Sequence, residues 1–522
     1  MGTLVLGQKP LTLEDVREVA VNGKQVSLSN EAIQKIKAAH RFLLSKVKSG
    51  ETFYGVNTGF GLLSNVKIPP QEIETLQYNL LRSHACGIGP ALADGYVRAM
   101  LLLRASNLSI GHSGVSLQLV EHILNVLNAG IIPVIPEQGS VGASGDLAPL
   151  AHLALVLIGE GVVHYQGRKM EGGEALQLAG LKPIRLGPKE GLALINGTQF
   201  MTALGSIDLL EAEHLSNVAD MTGAMSLEAL KGTITAFEPE IHAVRPHPGQ
   251  IQVAANLKKI LLSNGSTDTD GSPSEIAQSH ADCEQVQDPY SLRCMPQVHG
   301  SSRDVLTYVR QVLEREINSV TDNPLVFPEQ GKILSGGNFH GQTIALAMDF
   351  MAIAMAELGS ISEQRLAKLV NPAMSGLPPF LTTQGGLNSG FMMVHVAASS
   401  IVSENKTLCH PASVDSIPTS ADKEDHVSMG AWAARKAGRV LTNVRRILVF
   451  ELLGAAQGID LLRPLKSSDT IEKMHSLIRK RVSRLDQDRA FYKDYGPIEE
   501  LIGSVEFQEL FQNSVRNDDP KR

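Results

Sequence analysis

Two segments constrain the fold more than anything else in the sequence. Residues 342–370 and 428–463 are long, rich in Ala, Met and Leu, and nearly apolar all round. A helix without a polar face has to be covered on every side, inside a bundle or an oligomer core. Neither segment reads as a membrane span. Asp349, Glu357, Glu451 and Asp460 interrupt them, whereas a span needs about 20 nearly uncharged residues. Aromatic residues are only 4% of the chain, against 43% hydrophobic. The core must therefore be built from Ala, Leu, Ile, Val and Met, which favours close-packed helices over a β-sandwich. The expected fold is mainly α: an N-terminal α+β region over residues 1–200 and a long helical bundle over 201–522. Length alone, at about 150 residues per domain, would give three or four domains.

Charge excludes one class of partner. The 522 residues carry a net charge of −7, and nucleic-acid binding needs a basic stripe or patch. Four cysteines, Cys86, Cys283, Cys294 and Cys409, are too few and too scattered for a disulfide framework. They read as buried or idle thiols. The opening MGTLVLGQKPLTLEDV has no basic segment followed by a long apolar run, so no signal peptide is expected. A soluble, cytoplasmic protein without membrane or nucleic-acid partners is the expectation.

Periodicity places the elements. A helix is expected over 30–47 behind the caps Ser29 and Asn30, helices over 70–128, and a hairpin at VVHYQGRKM around Gly167. Loops are expected at 51–66 and 129–149, both rich in Gly. From 192 onward the apolar spacing is strongly helical. The stretch 262–275 reads as a mobile surface loop, and the last ten residues should fray. His242 and His247, five apart with Pro between, read as surface or structural rather than as metal ligands.

The familiar signatures of chemistry are absent. There is no G-x-x-x-x-G-K-[ST] phosphate loop, no H-E-x-x-H, and the glycines of GVNTGFG are in the wrong order for a dinucleotide site. What remains is GSVGASGDLAPLAH at 139–152, a Gly-rich loop ahead of an apolar helix. By spacing alone it is an ordinary loop with Asp146 as helix cap.

GSVGASGDLAPLAH resembles the signature of the aromatic amino acid ammonia-lyases that build their own electrophile, 4-methylidene-imidazol-5-one (MIO). The resemblance continues in the family's order through FYGVNTGFG (53–61), NLLRSHACGIG (79–89), ALINGTQ (193–199), QDPYSLRC (287–294), SGGNFHG (335–341) and KEDHVSMG (423–430). It implies that the Gly145 nitrogen attacks the Ala143 carbonyl and that Ser144 loses its hydroxyl, so that two waters leave and no external cofactor is needed. It also implies a fumarase/aspartase-like helical core and a homotetramer with active sites shared among three subunits.

Within the family the pair Ser83-His84 is similar to the histidine-acting branch, where tyrosine-acting members carry His-Leu and phenylalanine-acting ones Phe-Leu. Glu424 agrees, since the aromatic-acting members carry Gln there. The resemblance thus implies elimination of ammonia from L-histidine to trans-urocanate, the first step of histidine degradation. The implied roles follow residue by residue. His84 and Glu424 read the imidazole, Arg293 pairs with the carboxylate, and Asn196 and Gln287 help hold it. Phe339 walls the ring, Tyr54 closes a lid loop, and Tyr290 removes the β-proton. Taken singly, each has an ordinary reading: a core tyrosine, a packed histidine, a surface ion pair, a turn asparagine. Lys423, where the family usually has Gln, is expected to point outward. Competing functions are a tyrosine or phenylalanine ammonia-lyase, an aminomutase using the same MIO, and an inactive helical scaffold.

Overall fold

The structure is a computed structural model that describes residues 2–263, 271–281 and 286–516. It is mainly helical, as the apolar segments require. The two segments that dominate the sequence become the helices Gln342–Val370 and Gly430–Leu461. Local signals hold closely. Ser29 Oγ accepts the Ala32 amide ahead of Asn30–Lys48, and Val162–Tyr165 pairs antiparallel with Arg168–Glu171 across Gly167. Among the described residues, strands form only two- and three-stranded pieces.

The chain divides into two compact units. The first holds residues 1–210, 309–349 and 411–437; the second holds 211–308, 350–410 and 438–522. They do not follow a division near residue 200. The physical reason is helix length: Gln199–Ala229, Met295–Glu316, Gln342–Val370 and Gly430–Leu461 each contain a unit boundary. The chain therefore returns to the first unit twice after leaving it.

In the first unit, the helix Asp94–Ser109 is buried almost all round from Val97 onward. Ala39, Leu43, Val56 and Val326 form a buried cluster with Phe42, Val47, Phe53 and Ile333 packed on it. In the second unit, the fully buried pair Arg365 and Glu451 is bonded twice, Nε to Oε1 at 2.5 Å and Nη2 to Oε2 at 3.0 Å. Ser226 and Ser362 also donate to that carboxylate.

Gln342–Val370 is long and apolar enough by composition to cross a membrane, despite its acids, but 61% of its most apolar stretch is buried. Its Asp349 takes Lys436 Nζ at 2.9 Å. His242 has a structural place, with Nε2 against the Ala236 carbonyl and Nδ1 against Gln250. Of the stretch 262–275, residues 264–270 lie outside the described residues, while Leu262–Ser263 pairs with Ser272–Pro273. The tail is helical through Val515, and 517–522 lie outside the description. Cys283 does as well. The other three cysteines are in no disulfide, Cys86 exposed and Cys294 and Cys409 half-buried.

Candidate active site

The loop that carries Ala143, Ser144 and Gly145 is shaped by its glycines. Gly142 and Gly145 have φ of +66° and +74°, a region open to Gly and closed to most residues. Space is as restrictive as conformation. A Cβ on Gly145 would overlap the carbonyl of Gly197, and one on Gly142 would overlap Ser428 Oγ. Gly145 is bridged in parallel to Gly197. In that bridge it is the Asp146 amide that donates to the Gly197 carbonyl, at 2.7 Å, so the Gly145 nitrogen is left out of the bond.

Asp146 begins the helix Leu147–Leu157 but makes no side-chain cap. Its carboxylate turns away and accepts Ser140 Oγ and the Met201 amide, both at 3.0 Å. Burial pushes it up to about 7, against these hydrogen bonds, which favour the charged form. The other side of the loop is held from far along the chain. Met429 N donates to the Val141 carbonyl at 2.8 Å, and Ser428 Oγ to the Gly142 carbonyl at 2.9 Å.

Glu424 reaches the triad directly. Its Oε1 accepts Ser144 Oγ at 3.1 Å, and Oε2 accepts Thr419 Oγ1 at 2.7 Å and Ser420 Oγ at 3.0 Å. The turn that presents it is strained. Ser420, Ala421 and Asp422 have φ of +52°, +52° and +61° in succession, a conformation that costs about 1–3 kcal/mol per non-glycine residue and gathers at functional sites. Lys423 is exposed, as expected of a side chain that points outward.

His84 ends the helix Ile73–His84. Nδ1 lies 2.9 Å from the Leu80 carbonyl, which can only accept, so Nδ1 carries the proton and neutral His84 presents Nε2 as an acceptor. Burial holds its pKa below the ordinary value, although the Leu80 carbonyl and the Glu424 carboxylate favour the cation. The Glu424 carboxylate that meets Ser144 thus also bears on the His84 imidazole.

Phe339 is half-buried. The next residue, His340, donates Nε2 to the His426 carbonyl at 3.1 Å and stacks on the His426 ring at 6.1 Å, which ties this segment to the acidic one. Asn196 is buried beside Gly197, with Nδ2 on Asp322 and on the Asn323 carbonyl. Tyr54 stays within its own loop, its hydroxyl accepting the Gly61 amide at 3.3 Å. Gln77, which sequence reasoning missed, joins three of these segments: Nε2 reaches the Gly55 carbonyl, Oε1 accepts the Leu192 amide, and its helix bears His84. A lone Gln in an amphipathic helix gave no signal. Lys189 and Asp322 were missed as isolated charged residues, and Ser428, although within KEDHVSMG, was given no role.

Gln287, Tyr290 and Arg293 lie in the second unit. Tyr290 is 71% exposed. The Arg293 guanidinium lies over its ring at 4.7 Å and donates Nε to the Asp288 carbonyl at 3.0 Å. Gln287 is exposed. The structure therefore gathers Ser144, Gly145, His84, Asn196 and Glu424 in one unit, and Tyr290 and Arg293 as a stacked pair in the other.

Comparison with known proteins decides the family. The profile described as aromatic amino acid lyase matches residues 11–480. The chain belongs to the aromatic amino acid lyase family. A histidine ammonia-lyase of Anaeromyxobacter dehalogenans is 51% identical over 511 residues, 96% of this chain and 99% of the relative. The crystal structure of histidine ammonia-lyase from Trypanosoma cruzi superposes with a TM-score of 0.90 at 44% identity, covering 99% of this chain and 96% of that one. A tyrosine aminomutase from Streptomyces globisporus gives the same TM-score at 37% identity, covering 98% and 99%. The aromatic amino acid lyase fold is therefore shared by relatives with different reactions, and the choice among them falls to the site.

Proposed function

We propose that the chain is a histidine ammonia-lyase, a carbon–nitrogen lyase that removes ammonia from L-histidine without oxidation and leaves trans-urocanate. The observation that carries this reading is the meeting of Glu424 with Ser144 at 3.1 Å, with His84 close enough to sense the same carboxylate. A protonated imidazole ring offers one N–H to each of these acceptors, the Glu424 carboxylate and the Nε2 of neutral His84. A phenyl or phenol ring would leave His84 and Glu424 without partners, at about 1–3 kcal/mol for each buried group.

The triad fits closure into MIO. Ala143 and Gly145 are buried, Gly145 is forced to lack a Cβ, and its nitrogen is free of the Gly197 bond. When formed, the group would supply an electrophilic methylene that turns the α-amine into a better leaving group. Glu424 would hold the Ser144 hydroxyl before it leaves, and its freed Oε1 would then take an imidazole N–H. Neutral His84 would hold the ring through Nε2. Arg293 has the planar fork that suits a carboxylate, and Gln287 lies on the same segment. Tyr290 would take the β-proton; the electron pair left on Cβ forms the double bond as the C–N bond breaks. Phe339 would bound the ring, and Tyr54 would close its loop over the amine.

The exposure of Tyr290 at 71% supports an active site shared among the subunits of a homotetramer, in which a catalytic side chain is offered outward to a neighbour. The cytoplasm is the compartment consistent with cysteines held as thiols rather than disulfides at exposed Cys86 and half-buried Cys294 and Cys409.

The test is a product assay with L-histidine together with an intact mass. Urocanate as the product, without β-amino acid, cinnamate or coumarate, and a mass two waters below the unmodified sequence are expected. A chain at the unmodified mass, or one that returns a β-amino acid, would sink the proposal.

A further inference from the structure

The signature that carries the triad runs from Gly139 to His152, and both of its ends meet Gly87. The Gly87 amide donates to His152 Nε2 at 3.0 Å. A Cβ on Gly139 would stand 3.1 Å from the Gly87 Cα, and one on Gly87 would stand 3.1 Å from His152 Nε2 and 3.2 Å from the Gln138 carbonyl oxygen. The lack of a side chain at both glycines lets these segments come so close. The next residue, Ile88, pairs with Gln138. An amide N–H can only donate, so Nε2 is the unprotonated nitrogen, and His152 is neutral with its proton on Nδ1. Burial holds its pKa below the ordinary value, which keeps that acceptor in place at neutral pH. The proposed mechanism gives His152 no part.

Gly87 stands just beyond His84, and the chain between them is fixed. The helix Ile73–His84 is followed by Ala85 at φ −77° and ψ 62°, and the Cys86 amide donates to the His84 carbonyl at 2.9 Å. That is an inverse γ-turn. His84 is thus the last residue of a helix whose exit is held at Gly87, and helix ends fray unless something beyond them holds. The holder belongs to the helix Leu147–Leu157, whose N-terminus leads out of Ala143, Ser144 and Gly145. We infer that His152 is a positioning residue for substrate selection: by holding Gly87 it sets the place of the His84 imidazole relative to the triad. It acts through the backbone and touches neither substrate nor reacting atoms. This role rests on the reading of the site as that of a histidine ammonia-lyase.

Two substitutions in the full-length protein separate the acceptor from the bulk of the side chain. His152→Leu fills the space and removes the acceptor; His152→Gln keeps an acceptor oxygen near the place of Nε2. Steady-state kinetics with L-histidine are measured on each, with intact mass and a thermal melt on every preparation. His152→Leu should raise KM roughly 10-fold and leave kcat within about threefold, because a lost hydrogen bond shifts His84 without touching the electrophile. His152→Gln should bring KM back to within about twofold of the wild type. Both should keep a mass two waters below the unmodified sequence. A merely structural role would lower the melting temperature and the fraction of active enzyme, hence kcat per chain, and leave KM where it was. Gly87→Ala reaches the same bond from the other side, since its Cβ presses on His152 Nε2 and the Gln138 carbonyl. It should raise KM in the same way, and it decides the matter if His152→Leu does not fold. An unchanged KM, a loss confined to kcat, equal KM values for His152→Leu and His152→Gln, or a His152→Leu chain at the unmodified mass would overturn the inference. A wild-type protein that leaves L-histidine intact would instead remove the functional reading beneath it, and is recognised by appearing without any substitution.

Discussion

The Asp146 carboxylate accepts the backbone amide of Met201 at 3.0 Å, joining the residue after the triad to the first turn of the helix Gln199–Ala229. The carboxyl is fully buried, and burial raises it from 3.8 to about 7. The fold therefore prefers the protonated form. The stability this gives is complete below the unfolded value and is lost as pH rises through about 7. Asp146→Asn keeps an acceptor for Met201 and does not titrate. Relative to the wild type, its stability in urea should improve between pH 4 and pH 8 by up to about 4 kcal/mol. Parallel pH profiles for the two proteins would contradict this.

Gly145→Ala puts a methyl group where the Gly197 carbonyl stands and demands φ of +74° from an alanine. The loop can no longer close. The intact mass should remain that of the uncyclised sequence, and histidine turnover should fall by roughly 10⁴-fold, the scale of losing a residue that acts as one unit with others. Ser144→Ala should match it in both readouts while folding normally.

Glu424→Gln retains an oxygen for Thr419 and Ser420 but removes the charge that faces His84 and the Ser144 hydroxyl. Steady-state kinetics should give a KM for L-histidine raised about 10- to 100-fold, as for a lost charge-assisted hydrogen bond. An unchanged KM would mean that the ring is read elsewhere.

The pair Arg365 and Glu451 has no access to solvent. Glu451→Leu strands a buried guanidinium and should cost about 3–5 kcal/mol. The double variant Arg365→Met, Glu451→Leu should recover most of that, because two apolar side chains need no pairing. Thermal melts of the two single variants and the double variant at one protein concentration test the claim.

Much of this was legible in the sequence because the signals are local. The caps at Ser29, the hairpin at Gly167 and the helices over 342–370 and 430–461 depend on neighbours a few residues away. The triad loop was read only through its resemblance to the ammonia-lyase signature, since by spacing alone it is an ordinary Gly-rich loop. The division into units was not, because helix continuity across 210/211 and 349/350 leaves no mark in composition. Asp146 shows the limit most sharply. Its position before a helix reads as a cap, yet the carboxylate is taken by Ser140 and Met201. The second of those partners lies 55 residues away in sequence. Lys189 and Asp322 are similar: each is an ordinary charged residue until the fold removes water from both.

The loop of residues 139–146 is completed by Ser428 and Met429, which bind the carbonyls of Gly142 and Val141. A chain still on the ribosome lacks these partners until residue 430 or so has been made. On the proposed reading, Ala143, Ser144 and Gly145 would stay ordinary peptide until then. The electrophile would be a product of the finished fold, and its two missing waters would serve as a record, readable by mass, of which molecules in a preparation have ever reached the native state.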